Sequence, residues 1–383
     1  MGIAAAAVAL WYFWDEPLFS PLSPGGKFKY LLGIRPPAKP PKIVYGYLPY
    51  WNLDTVSIQP ELTHLAYFSL GIAADGTILT KTADGTEPGY SKLGSDKLME
   101  LTGQVAPSNR TFEIVLTQFN SDDIYAFINN PEAHQKLITS LDSVLLAYPV
   151  SGVNIDVEYV GEVTPELRAK FVMFITQLRQ HLNTKYKGIN LSVAVYASAA
   201  AKMQLWDIAA LAPQIDYLVV MAYDFHRRSS PQAGPVAPLF GSDTHWDSDI
   251  HHYLKAFLAQ IPGEKILLGV PFYGYGWQTV STDAQANTYP DTGRTFTYEK
   301  ILELLARKKE LKLKERWQED ALSPWLTYVE NDETYVVYYE NPLSLAYKLE
   351  YVRELKLGGI AIWALGYEGG DRALWEVVKK GKI

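Results

Sequence analysis

The sequence predicts an α/β fold: a (β/α)8 TIM barrel carrying a small α+β insertion between its seventh and eighth strands. Three observations lead there. Short, nearly continuous apolar runs recur at 43–48, 64–70, 112–117, 152–158, 190–196, 217–223, 266–271 and 359–363. Such runs suit parallel strands whose outer faces are covered. Amphipathic helical stretches separate them, and strand-helix alternation of this extent means a barrel or an open doubly wound sheet. The chain has 383 residues, which fits one barrel with an insertion.

The elements follow in order. Residues 1–14 carry no charge and end in Trp11-Tyr12-Phe13-Trp14. They are shorter than the roughly 20 residues of a spanning helix. The aromatic end reads as an interfacial belt, so the segment is expected to be the remnant of a membrane anchor or signal sequence. Residues 15–41 are rich in proline and read as a semi-rigid tether. An anchor and a tether ahead of a large globular unit predict an extracytoplasmic protein, secreted or held at a bacterial cell envelope.

The barrel is expected to occupy 42–271 and 341–383. Thr164 with Pro165 forms an N-cap and first-turn proline, and Leu167, Phe171, Phe174, Ile175 and Leu178 continue one apolar face. Asn341 and Pro342 open a second such helix, expected to stop near Gly358-Gly359. The interval 272–340 is too long for one helix. It is expected to hold a helix over 298–314 and a hairpin pairing 325–330 with 334–339 around Asn331-Asp332.

Composition removes several function classes. Apolar residues make up 48% and charged residues 20%, which excludes wholesale disorder. Lys+Arg 35 against Asp+Glu 42 gives −7, and this acidic balance argues against nucleic acid as a partner. Cys 0 excludes disulfides, thiolate metal sites and cysteine nucleophiles. No Gly-x-Gly-x-x-Gly or Walker loop follows a strand, so no nucleotide cofactor is implied. His245, His251 and His252 lack metal-ligand spacing and read as solvated. Metal and cofactor are therefore both expected to be absent. The mixed charges of 307–316 read as a solvated helix face.

The chemistry concentrates in Ser151-Gly152-Val153-Asn154-Ile155-Asp156-Val157-Glu158. Side chains alternate faces on a strand, so Val153, Ile155 and Val157 face the helices. Asn154, Asp156 and Glu158 then step up the inside of the barrel toward its carboxyl end, where catalytic groups of this fold sit. Three inward polar groups are costly unless they bond one another and a ligand. Neighbouring carboxylates resist joint ionisation, so one keeps a proton and can act as a general acid. A protonated acid with a second carboxylate is the equipment for cleaving a glycosidic bond.

The segment resembles the DxxDxDxE signature of glycoside hydrolase family 18, the chitinase family. Met221-Ala222-Tyr223-Asp224 resembles that family's M-x-Y-D element, and Gly269-Val270-Pro271-Phe272-Tyr273-Gly274 its G-x-P-x-Y-G. Gly358-Gly359-Ile360-Ala361-Ile362-Trp363 resembles its last strand. Asn154 stands where the usual pattern has Asp, which implies a different relay below Asp156 and a shifted pH optimum. Gly-Val-Asn-Ile-Asp and Ala233-Gly234-Pro235-Val236-Ala237-Pro238 resemble the bacterial cell-wall and spore-cortex branch.

The resemblance implies a retaining hydrolase of β-1,4-linked N-acetylglucosamine polymers, chitin or peptidoglycan glycan. In this chemistry the substrate's acetamido oxygen is the nucleophile and an oxazolinium intermediate forms. Glu158 would be the acid and later the base. Asp156 would orient the acetamido group, Tyr223 would donate to its oxygen, and Trp363 would floor the sugar. Asn154, Met221 and Asp224 complete the implied pocket. Tyr47, Trp51 and Tyr273, at strand ends, read as sugar platforms, with Tyr50, Tyr275 and Trp277 beside them. Gln118 ends the third strand and is expected to reach the groove. A non-catalytic lectin-like barrel and an endo-N-acetylglucosaminidase of N-glycans are the alternative readings.

Overall fold

A computed structural model describes residues 43–105, 110–242 and 244–380. The expected anchor at 1–14 and tether at 15–41 lie outside the described residues. Among those described, no helix is long and apolar enough to cross a membrane.

The barrel strands are β1 (Ile43–Pro49), β2 (His64–Gly71), β3 (Thr111–Gln118), β4 (Gly152–Val157), β5 (Asn190–Tyr196), β6 (Tyr217–Met221) and β7 (Ile266–Pro271). After an intervening sheet comes the closing strand β13 (Gly359–Trp363). They form a closed cylinder in the order β1-β13-β7-β6-β5-β4-β3-β2, and every neighbouring pair is parallel. This is the predicted (β/α)8 barrel.

Alternation along the strands sorts the core into two layers. Val44, Leu65, Ile114, Val153, Ile155, Val193, Leu218, Leu268 and Ile360 pack outward against the helices. Tyr45, Tyr47, Ala66, Val115, Ala194, Val219 and Ala361 fill the interior. Small inward residues on several strands leave room for the tyrosines of β1.

Thr164 Oγ1 accepts from the Leu167 backbone N–H at 3.2 Å, capping the helix Pro165–Lys185. Its buried face is Leu167, Phe171, Phe174, Ile175, Leu178 and Leu182. Asn341 caps Pro342–Glu354, with Ser344 Oγ accepting from the Asn341 backbone N–H at 2.9 Å to close a capping box. That helix ends before the expected glycines, because Lys356 turns the chain with φ 53°. Gly359 serves a different purpose: a Cβ there would lie 2.0 Å from the Ile43 carbonyl oxygen, so only glycine lets β13 close against β1.

Between β7 and β13 lies a five-stranded antiparallel sheet. Its strands are β8 (Tyr273–Gln278), β9 (Arg294–Thr297), β10 (Lys314–Gln318), β11 (Ser323–Glu330) and β12 (Glu333–Tyr338), in the order β9-β8-β12-β11-β10. Asn331 and Asp332 make the expected two-residue turn, with φ 53° and 62°. The expected helix 298–314 is shorter, Tyr298–Ala306. Past Ala306 the chain runs as turn to Lys312, which has φ 49°; Leu311 and Leu313 drop into the core of this sheet on either side of it, and β10 begins at Lys314. The charges of 307–316 are exposed but lie on a turn and a strand, paired as Arg307–Glu310, Arg307–Glu330 and Lys308–Glu315.

Candidate active site

The carboxyl ends of the barrel strands surround an open cleft of about 990 Å³, and the polar row of β4 rises into it. Asn154 sits deepest. Its Nδ2 donates to Ser192 Oγ at 2.8 Å, and its Oδ1 accepts from the Tyr47 hydroxyl at 3.4 Å. One layer lower, Glu113 is fully buried, accepting from the Tyr45 hydroxyl at 2.7 Å and from Ser192 Oγ at 3.3 Å. Burial pushes the Glu113 carboxyl up to about 7. The barrel floor is thus a closed polar network, as buried polar groups require.

Asp156 and Glu158 both line the cleft above this floor. Burial, then the charge of Glu158, pushes the Asp156 carboxyl well above the usual range. Its Oδ1 is buried with no hydrogen-bond partner among the described residues. An orphaned buried oxygen at the base of a cleft is a place for a ligand's polar group. Burial also raises Glu158. Asp224 adds to this, while a hydrogen bond with Tyr196 and the charge of Arg227 oppose it. A raised carboxyl opening onto a cleft is suited to general acid work near neutral pH.

Asp224 ends the strand-β6 segment in the left-handed region, with φ 61°. Its Oδ1 accepts from the Tyr275 hydroxyl at 3.0 Å and also from Tyr273. Two donors on one oxygen hold the turn in this uncommon conformation and fix the neighbouring Tyr223 over the cleft. The Tyr223 hydroxyl makes no hydrogen bond to the described protein, so it is a donor open to a ligand. Trp363 forms an apolar wall. Its ring meets Phe68 edge-on at 4.7 Å and lies 5.8 Å from Tyr47.

Residues 43–368 match the model of Glycosyl hydrolases family 18. The chain belongs to that family. This family 18 chain is 26% identical to the putative sporulation-specific glycosylase YdhD of Bacillus subtilis, over 80% of this chain and 66% of YdhD. It is 24% identical to the cortical fragment-lytic enzyme of Bacillus anthracis, over 82% of this chain and 66% of that protein. The chain thus spans slightly under two thirds of the length of these relatives. Among solved structures, the Group IV chitinase of Ostrinia furnacalis superposes with a TM-score of 0.77 at 21% identity, covering 88% of this chain and 99% of that one. The Bacillus cereus spore cortex-lytic enzyme SleL gives 0.69 at 20% identity, covering 89% and 74%. These two likenesses bear on the fold.

In this family 18 chain, Tyr47, Asp156, Glu158, Met221, Tyr223, Asp224, Tyr273 and Trp363 all line the one cleft. Several expected positions fall elsewhere. Asn154 lies beneath Asp156 and is wholly buried, so it supports the floor and does not face ligand. Gln118 turns away from the groove: its Oε1 accepts from the backbone N–H groups of Phe119 and Asn120, both at 2.9 Å, and its amide donates to the Ile72 carbonyl. The strand ends there, and the bare backbone donors of the turn claim the side chain. Trp51 stands outside the cleft lining, its ring edge-on to Phe68 at 6.0 Å. Trp277 is also no platform, since it is fully buried and its indole N–H is shared between the Arg227 and Arg228 carbonyls at 3.1 Å. His251 is half-buried against Tyr351, with 2.7 Å between Nδ1 and the hydroxyl, and so is not simply solvated.

Tyr196 and Arg227 were not anticipated. Tyr196 could have been read from its place at the carboxyl end of β5. Arg227 lies in a loop, where alternation no longer reports direction. No group of three or more potential ligand side chains is placed to hold a metal among the described residues.

Proposed function

We propose that this chain is a retaining hydrolase of β-1,4-linked N-acetylglucosamine polymers, chitin-type or peptidoglycan glycan, working by substrate-assisted catalysis. Glu158 hands its proton to the bridging oxygen as the bond from that oxygen to the anomeric carbon breaks. The acetamido carbonyl oxygen of the same sugar closes on the anomeric carbon, giving an oxazolinium. Asp156 accepts the acetamido N–H and so orients the group, while Tyr223 donates to the acetamido oxygen. Glu158, now a carboxylate, takes a proton from the water that opens the ring. The observation that carries this reading is the buried, partnerless Asp156 Oδ1 beneath a raised Glu158. Relatives named as cortical fragment-lytic enzymes and as chitinases support the substrate class. The uncharged 1–14 and proline-rich 15–41 support an extracytoplasmic site of action, tethered or secreted.

The test compares N-acetylglucosamine oligomers with the same oligomers after removal of their acetyl groups. Cleavage of the acetylated series alone, with retention at the anomeric carbon, is expected. Equal cleavage of both would refute acetamido participation. Saccharide binding without any cleavage would make the chain a lectin-like barrel.

A further inference from the structure

The two sides of the cleft differ in character. The strand ends and loops after β2, β3 and β4 bring Phe68, Phe119 and Val160, the last two 51% and 75% exposed. The loops after β5 and β6 bring Lys202 and Arg227, both exposed. Apart from these two cations and the acids Asp156, Glu158 and Asp224, the side chains lining the cleft are neutral. One side therefore offers apolar surface and the other the only two cations of the cleft among the described residues.

Neither cation has a carboxylate within ion-pair distance among the described residues, although acidic side chains outnumber basic ones 42 to 35 in the chain. Arg227 is also held in place. Its Nε donates to the Asp224 carbonyl at 3.1 Å, its backbone N–H donates to Ser230 Oγ at 2.8 Å, and its carbonyl accepts from Trp277. Both terminal nitrogens of the guanidinium stay free of protein partners among the described residues. A fixed guanidinium fork with an ammonium on the same side of a cleft matches a carboxylate and gains little from a neutral sugar. The three cleft acids add to the contrast, since burial pushes each toward its uncharged form.

We propose that Lys202 and Arg227 form an anion subsite that takes a carboxylate borne by the glycan. The preferred substrate is then an N-acetylhexosamine polymer carrying carboxylate substituents, as bacterial wall glycan does, and not neutral chitin. This inference rests on the glycosidase reading above and selects among its substrates. Wall glycan carries such carboxylates in two forms: on the lactyl ether where no peptide is attached, and at the ends of the stem peptides where one is joined to it as an amide.

The experiment measures kcat/KM on three glycan strands: stripped of stem peptides, stripped and with the lactyl carboxylates converted to methyl amides, and with peptides intact. An N-acetylglucosamine hexamer is the neutral reference. The native chain is expected to favour charged over neutralised strands by about fivefold or more, the sum of two exposed ion pairs. The preference should shrink with added salt. In the double variant Lys202→Gln/Arg227→Gln the ratio is expected to approach one, with the thermal midpoint unchanged. A preference on peptide-free strands assigns the lactyl carboxylate; one seen only with intact peptides assigns the stem peptide, and either supports the subsite. Equal rates on charged and neutralised strands, or a ratio that survives in the double variant, would overturn it while leaving the glycosidase reading intact. No cleavage of any substrate, hexamer included, would instead overturn the glycosidase reading.

Discussion

Glu113 ties the stability of the barrel to pH. It sits fully buried on β3, bonded to Tyr45, Ser192 and, at 3.4 Å, to Asn190 Nδ2. Burial moves its carboxyl from 4.5 to about 7, and the hydrogen bonds offset only part of that. The folded state therefore keeps a proton that the unfolded chain releases near 4.5. This stabilisation is fully present below about pH 4.5 and is lost as pH rises through about 7. At about 1.4 kcal/mol per pH unit the loss amounts to about 3 kcal/mol. Glu113→Gln keeps the shape and a carbonyl acceptor for Tyr45 but cannot ionise. Urea unfolding of both proteins between about pH 4.5 and pH 8 reads the difference, because all other titrating groups are shared. The native protein should lose about 3 kcal/mol more than the variant across that window. Parallel stability curves would refute the reasoning.

Two further outcomes follow from the geometry. Lys348→Met leaves Glu340 buried without its partner, now 2.9 Å away, and should cost about 3–5 kcal/mol in chemical denaturation. The double variant Glu340→Leu/Lys348→Met should recover most of that loss, and equal losses would remove the pair from this role. Gln118→Ala should cost about 0.5–1.5 kcal/mol, the net worth of a hydrogen bond whose exposed donors on Phe119 and Asn120 water can then satisfy, with kcat retained. A kcat collapse without destabilisation would return Gln118 to the cleft.

The barrel was legible because its signals are local and repeated. Each parallel strand is an apolar run, and Thr164-Pro165 and Asn341-Pro342 mark helix starts by side-chain chemistry alone. Alternation along β4 correctly put Asn154, Asp156 and Glu158 inside, because a strand fixes the direction of every second side chain. The rule does not fix what a side chain does at the last residue of a strand, where the amide of Gln118 turns to the backbone N–H groups of Phe119 and Asn120, and it says nothing of a loop residue such as Arg227, six positions past β6. Most of the small sheet was hidden for another reason. Tyr273–Gln278 alternates aromatics with glycines, and a Cβ at Gly274 would lie 2.2 Å from the Tyr338 carbonyl oxygen, so its glycines serve close strand packing that composition does not announce. The charges of 307–316 continue a helical pattern, but the helix stops at Ala306, and the chain turns so that Leu311 and Leu313 reach the core of the small sheet.

The depth of Asn154 was the subtler lesson. Its inward direction was readable, but its distance from the mouth depends on where the strand enters the barrel. Facing inward one layer too low, it became part of the floor with Ser192 and Tyr47.

The most direct measurement is made on Glu158→Gln, which keeps the side chain's size and removes its transferable proton. Initial rates on N-acetylglucosamine oligomers and titration calorimetry with the same ligands are taken on one preparation. The account predicts a fall in turnover of about two to four orders of magnitude with binding preserved. Native-like turnover in that variant would contradict it.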